Sequence, residues 1–98
     1  MKLTPFSRYR VFGHSMEPFL KEGQVAWVNN WAYLFSRPKQ GDIVLVEHQG
    51  RELIKRVAAV EQNQVFVVGD NQDDSFDSRK FGYVQTKTVL GKVVDKLV

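Results

Sequence analysis

Short runs rich in β-branched and aromatic residues, broken by turn-forming residues, dominate the chain and predict a mainly β fold. The runs are Tyr9–Phe12, Gln24–Val28, Ile43–Glu47, Glu52–Val60, Val65–Val68 and Thr88–Val94. Gln49–Gly50 predicts a hairpin turn after the third run, and Glu61–Gln62–Asn63 a second after the fourth. Trp31–Phe35 is the longest unbroken apolar run. It predicts a helical turn or an apolar flap, because Pro38 discourages a continuing helix. Trp27, Trp31, Tyr33, Leu34 and Phe35 are expected in the core; the alternative is an interfacial patch making weak membrane-surface contact. One stretch, Gly69 to Gly82, has no periodicity, and long ordered loops in small domains tend to carry function.

At 98 residues the chain fits a single domain, 1–98, and leaves no room for a second independent core. A five-residue apolar run is far short of the roughly 20 residues of a membrane-spanning helix. The first twelve residues contain no secretory signal. The expectation is therefore no transmembrane anchor and a protein that is cytoplasmic, or soluble and peripheral to a membrane. Net charge is +3, but the basic residues are dispersed, so no nucleic-acid partner is expected.

The absence of Cys removes disulfides, thiolate metal sites and cysteine nucleophiles together. His14 and His48 are too few for a typical zinc site, and Asp70, Asp73, Asp74 and Asp77 do not follow the calcium-loop pattern. Neither a P-loop nor a dinucleotide motif occurs. No metal and no cofactor are expected.

A serine nucleophile then becomes the natural suspect. His14 directly precedes Ser15, and on extended backbone its side chain points away from that serine. A lysine serves as base instead if its pKa falls from about 10.4 towards neutrality, which burial among apolar groups achieves. Alternation in Glu52–Val60 puts Leu53, Lys55, Val57 and Ala59 on one strand face, so Lys55 is the lysine embedded in apolar company. Spacing alone fits equally a strand lysine that extends its ammonium to water. Ser15 lies between a flexible Gly13 and Pro18, a setting that alone describes a turn.

Taken together, four motifs stand in order: Ser15-Met16-Glu17-Pro18; Gln40-Gly41-Asp42-Ile43-Val44; Ile54-Lys55-Arg56-Val57; and Gly69-Asp70-Asn71 leading through Ser75-Phe76-Asp77-Ser78-Arg79 to Phe81-Gly82. In these the chain resembles the type I signal peptidases, a family of Ser–Lys proteases, over about residues 11 to 94. The resemblance implies a single compact catalytic core with a curved antiparallel sheet and few or no helices. It implies Ser15 as nucleophile, Lys55 as general base, and Ser75 as the serine that orients the lysine. Asp77 and Arg56 match a structural ion pair bracing the glycine-rich loop, with Arg79 in the same motif. Gly13 departs from the branch that has a serine there, so the Ser15 backbone N–H is the one oxyanion donor nominated.

Without an anchor or an extra β-domain, the chain is similar to the short peptidases that mature nickel-type superoxide dismutase. That resemblance implies a protein substrate with a flexible N-terminal extension. The rival readings are a generic signal peptidase I acting on exported preproteins, and a catalytically idle β-module binding protein or nucleic acid. A self-cleaving repressor peptidase needs an Ala-Gly or Cys-Gly bond in cis, and neither dipeptide occurs.

Overall fold

The computed structural model describes residues 4–97. Seven strands form one curled antiparallel sheet: β1 (Phe6–Arg10), β2 (Val25–Asn29), β3 (Ile43–His48), β4 (Arg51–Glu61), β5 (Gln64–Val68), β6 (Val84–Gln85) and β7 (Val89–Leu97). Their order in the sheet is β1-β2-β7-β3-β4-β5-β6. The chain from β5 to β6 contributes a 3-10 turn at Gln72–Asp74 and α1, a single turn at Ser78–Phe81. The expected mainly β fold is what forms.

Both hairpin turns sit where turn chemistry placed them. Gln49 and Gly50 take φ of 53° and 79°, the pair of positive values that matches strand twist in a two-residue hairpin. Gln62 turns β4 into β5 with φ of 47°. The first strand differs: β1 covers Phe6–Arg10, so Val11 and Phe12 fall outside it. Val11 is held instead by paired bonds with the far end of its own loop, Val11 N–H to Gln24 O and Gly23 N–H to Val11 O.

Apolar residues pack on both faces of the sheet because it curls. One cluster gathers Val28, Leu45, Ile54 and Val93 around Met16 and Leu20 from the β1–β2 loop. The other gathers Val44, Val46, Val57, Val65 and Val67. β3 is buried on both faces from Ile43 to Val46, which is why it reads as an unbroken apolar run.

Two expectations fail here. Trp31, Leu34 and Phe35 are exposed, not core, and Phe35 is 98% exposed. Turn hydrogen bonds (Ala32 N–H to Asn29 O, Leu34 N–H to Trp31 O) lift this stretch off the sheet. Tyr33 reaches back, donating its hydroxyl to Asp42 at 2.7 Å. Ala59 does not share the Lys55 face either. A bulge between Val57 and Ala59 lets Val57 face Val67 while Ala59 faces Phe66, which reverses the alternation beyond Val57.

Candidate active site

Ser15 sits in the β1–β2 loop, pinned from both sides. Met16 and Leu20 are fully buried, and Leu20 N–H bonds Met16 O, so the residues after Ser15 are anchored in the core. On the other side, Asn71 N–H donates to Ser15 O at 2.8 Å and Asn71 Nδ2 to His14 O at 3.1 Å. The hydroxyl is thereby fixed in space through its own backbone. Among the described residues the Ser15 N–H donates to no protein acceptor.

Lys55 approaches from β4. Its cross-strand partner is Val44, and the alternation of β4 turns it to the same face as Leu53 and Val57. The side chain is 3% exposed, and Nζ donates to Ser15 Oγ at 2.7 Å. Burial pushes the lysine pKa down; the Asp77 carboxylate opposes this, and the Arg79 and Arg51 cations add to it. The ammonium is thus destabilised next to the hydroxyl whose proton it would take when neutral.

Behind this pair lies the aperiodic segment. Asp77 is completely buried and saturated with donors: Gly69 N–H at 2.8 Å, the Ser75 hydroxyl at 2.5 Å, Arg79 Nη2 at 2.6 Å and Arg79 N–H at 3.0 Å. Burial alone would raise its pKa, but these bonds outweigh burial and hold the carboxyl well below the usual range. Gly69 has no room for a side chain. A Cβ there would lie 2.2 Å from Ser75 Oγ and 2.6 Å from Ser15 O, so backbone and both serines meet in direct contact.

The ion pair expected between Arg56 and Asp77 is not made. Arg56 pairs with Asp70, Nε to Oδ1 and Nη2 to Oδ2 both at 2.8 Å, while Asp77 pairs with Arg79. The reason is the pleat. Arg56 projects to the face opposite Lys55, where Asp70 follows two residues after the end of the neighbouring strand β5, whereas Asp77 lies on the lysine side. The Ser75 hydroxyl is likewise spent on Asp77, and the hydrogen bond of Lys55 Nζ goes to Ser15. His14 turns outward, with Nδ1 2.7 Å from Glu17 Oε2. Sequence reasoning missed Asn71 as the brace of Ser15, and the tight packing at Gly69. Their signal was the Gly69-Asp70-Asn71 start of the fourth motif, to which no role was given residue by residue.

The sequence profile of the family described as signal peptidase, peptidase S26, matches residues 1–61 and 58–97, essentially the whole chain. The chain belongs to the signal peptidase family, peptidase S26. It is a serine peptidase of that family, acting on protein. It is similar to signal peptidase I V of Bacillus subtilis (strain 168), with 26% identity over 147 aligned positions that cover 97% of this chain and 88% of the relative. Signal peptidase I of Bacillus caldolyticus is 24% identical, covering 95% of this chain and 80% of that protein. A 35-residue stretch is 51% identical to signal peptidase I of Buchnera aphidicola subsp. Baizongia pistaciae, covering 36% of this chain and 11% of that one.

The Bacillus alignments are longer than the 98-residue chain, so those relatives carry additional residues within the matched region. The two matched segments meet at residues 58–61, the end of β4, where this peptidase turns directly into β5. Among the described residues no helix is long and apolar enough to cross a membrane.

Proposed function

We propose that this peptidase cuts with a Ser15–Lys55 dyad and removes an N-terminal extension from a precursor protein. The observation that carries the reading is the 2.7 Å contact between Ser15 Oγ and a lysine that is 3% exposed. Neutral Lys55 accepts the Ser15 proton as Oγ attacks the scissile carbonyl. The Ser15 N–H stabilises the oxyanion that forms. Lys55, now an ammonium, gives that proton to the leaving amine as the C–N bond breaks. It then takes a proton from the water that hydrolyses the acyl–Ser15 ester. Ser75, Asp77 and Arg79 hold the loop against which the pair rests, with Asp77 at its centre.

A nickel-type superoxide dismutase precursor is the proposed substrate, on the motif resemblance and on the residues that the Bacillus relatives carry within the matched region and this chain does not. The second reading is a generic signal peptidase I, favoured by the names of those relatives and by the exposed Trp31, Leu34 and Phe35. Purified protein is mixed with that precursor and, separately, with an ordinary preprotein, and the new amino termini are sequenced. Cleavage of the superoxide dismutase precursor without lipid supports the first reading. Cleavage only of the preprotein, and only with membranes present, moves the assignment to the second. No cleavage of either overturns the peptidase role of the dyad.

A further inference from the structure

A groove of about 320 Å³ opens beside the dyad, lined by Val11, Met16, Leu53, Tyr9 and Glu52 as well as by Ser15 and Lys55. Arg51, the first residue of β4, also lines it, on the same strand face as Leu53 and Lys55. Among the described residues the Arg51 guanidinium makes no ion pair. Glu47 accepts the Gly50 N–H in the hairpin; Glu52, the next residue along the strand, also lines the groove, without an ion pair to Arg51. The positive charge is felt inside the groove: it adds to burial in lowering the Lys55 pKa, while at Tyr9 burial and the Glu52 carboxylate outweigh it and the pKa is raised.

We propose that Arg51 determines specificity by pairing with an Asp or Glu side chain of an extended peptide substrate, about four residues from the scissile bond. The spacing follows from the strand. Arg51 is four residues from Lys55 along β4, roughly 13 Å at the rise of an extended chain, and a substrate laid along the groove repeats at the same rise. Apolar Val11, Met16 and Leu53 line the groove together with Tyr9 and Glu52. This inference deepens the peptidase reading and rests on it.

The experiment uses one series of peptides in which Asp, Asn or Lys occupies each position from five before to five after the cleaved bond. Assays are run above the pH midpoint of activity, so that the influence of Arg51 on Lys55 does not enter. Asp near the fourth position should lower KM about fivefold to tenfold relative to Asn, with kcat unchanged, and 1 M salt should erase the gain. Arg51→Gln should remove the preference, and Arg51→Glu should transfer it to Lys at the same position. Equal KM for Asp, Asn and Lys throughout, in a series that is cleaved, overturns the role of Arg51 alone. A series that no variant cleaves overturns the peptidase reading, and the Arg51 role with it.

Discussion

Gly69→Ala is the sharpest perturbation, because the backbone of Gly69 is not among the positive-φ glycines and accepts alanine without conformational strain. The whole effect is therefore steric. The added methyl would lie 2.2 Å from Ser75 Oγ, 2.8 Å from Ser75 Cβ and 2.6 Å from Ser15 O, against an ordinary contact beginning at 3.4 Å. Rotation of Ser75 relieves only part of this. The Ser15 carbonyl belongs to backbone held by Asn71, so it must move by about 1 Å, carrying the nucleophile away from Lys55. A displacement of that size costs about 100-fold in rate when it falls on reacting atoms. Overpacking should lower stability by about 1–3 kcal/mol.

The assay measures kcat for a cleaved precursor peptide together with thermal unfolding. The double variant Gly69→Ala/Ser75→Gly supplies the control. It should recover part of the stability, because two of the three close contacts vanish, yet leave kcat low, because the clash with Ser15 O persists. A folded Gly69→Ala protein with kcat within threefold of the parent would refute the idea that Ser15 is positioned through Gly69.

Other consequences follow from the same geometry. Lys55→Met should abolish turnover yet raise stability at pH 7. The depressed pKa of Lys55 means that its folded-state ammonium is disfavoured below both pKa values, at about 1.4 kcal/mol per unit, and denaturant titration reads the gain. Asp77→Asn should cost about 3 kcal/mol, since Gly69, Ser75 and Arg79 lose a buried charged acceptor. Because the Asp77 carboxyl is held below its unfolded value, its contribution is present above about pH 4 and disappears as pH falls through the folded pKa. Acid unfolding of the parent and the Asn variant should converge there. Arg56→Ala should lower stability by about 1 kcal/mol or less, given the partial exposure of its pair with Asp70, and leave kcat within twofold.

Much of this was legible in the chain. Period-two patterning and turn residues located five of the seven strands closely, and the ordered motifs hold Ser15, Lys55 and Ser75–Arg79, which the fold brings together. The failures have specific physical causes. The bulge at Ala58 is invisible to strict alternation, which places Ala59 on the Lys55 face whereas the structure turns it to the other. Arg56 and Asp77 are close in the motif order but lie on opposite sides of a pleated sheet, so each takes a nearer partner, Asp70 and Arg79. Trp31–Phe35 looks like core by composition, yet its turn hydrogen bonds hold it off the sheet. Residues as short as Val84–Gln85 carry too little pattern to announce a strand.

The central claim is that a buried, readily deprotonated Lys55 takes the Ser15 proton. The direct measurement is an NMR titration of the Lys55 side chain, isotope-labelled in otherwise native protein, alongside kcat/KM against pH on the same preparation. The account predicts one midpoint in both, below the ordinary lysine value of 10.5, with activity rising as the ammonium is lost. It predicts that Asp77→Asn moves both midpoints downward together, because the carboxylate otherwise favours the charged lysine. A Lys55 that titrates near 10.5 while activity rises at some lower pH would contradict it.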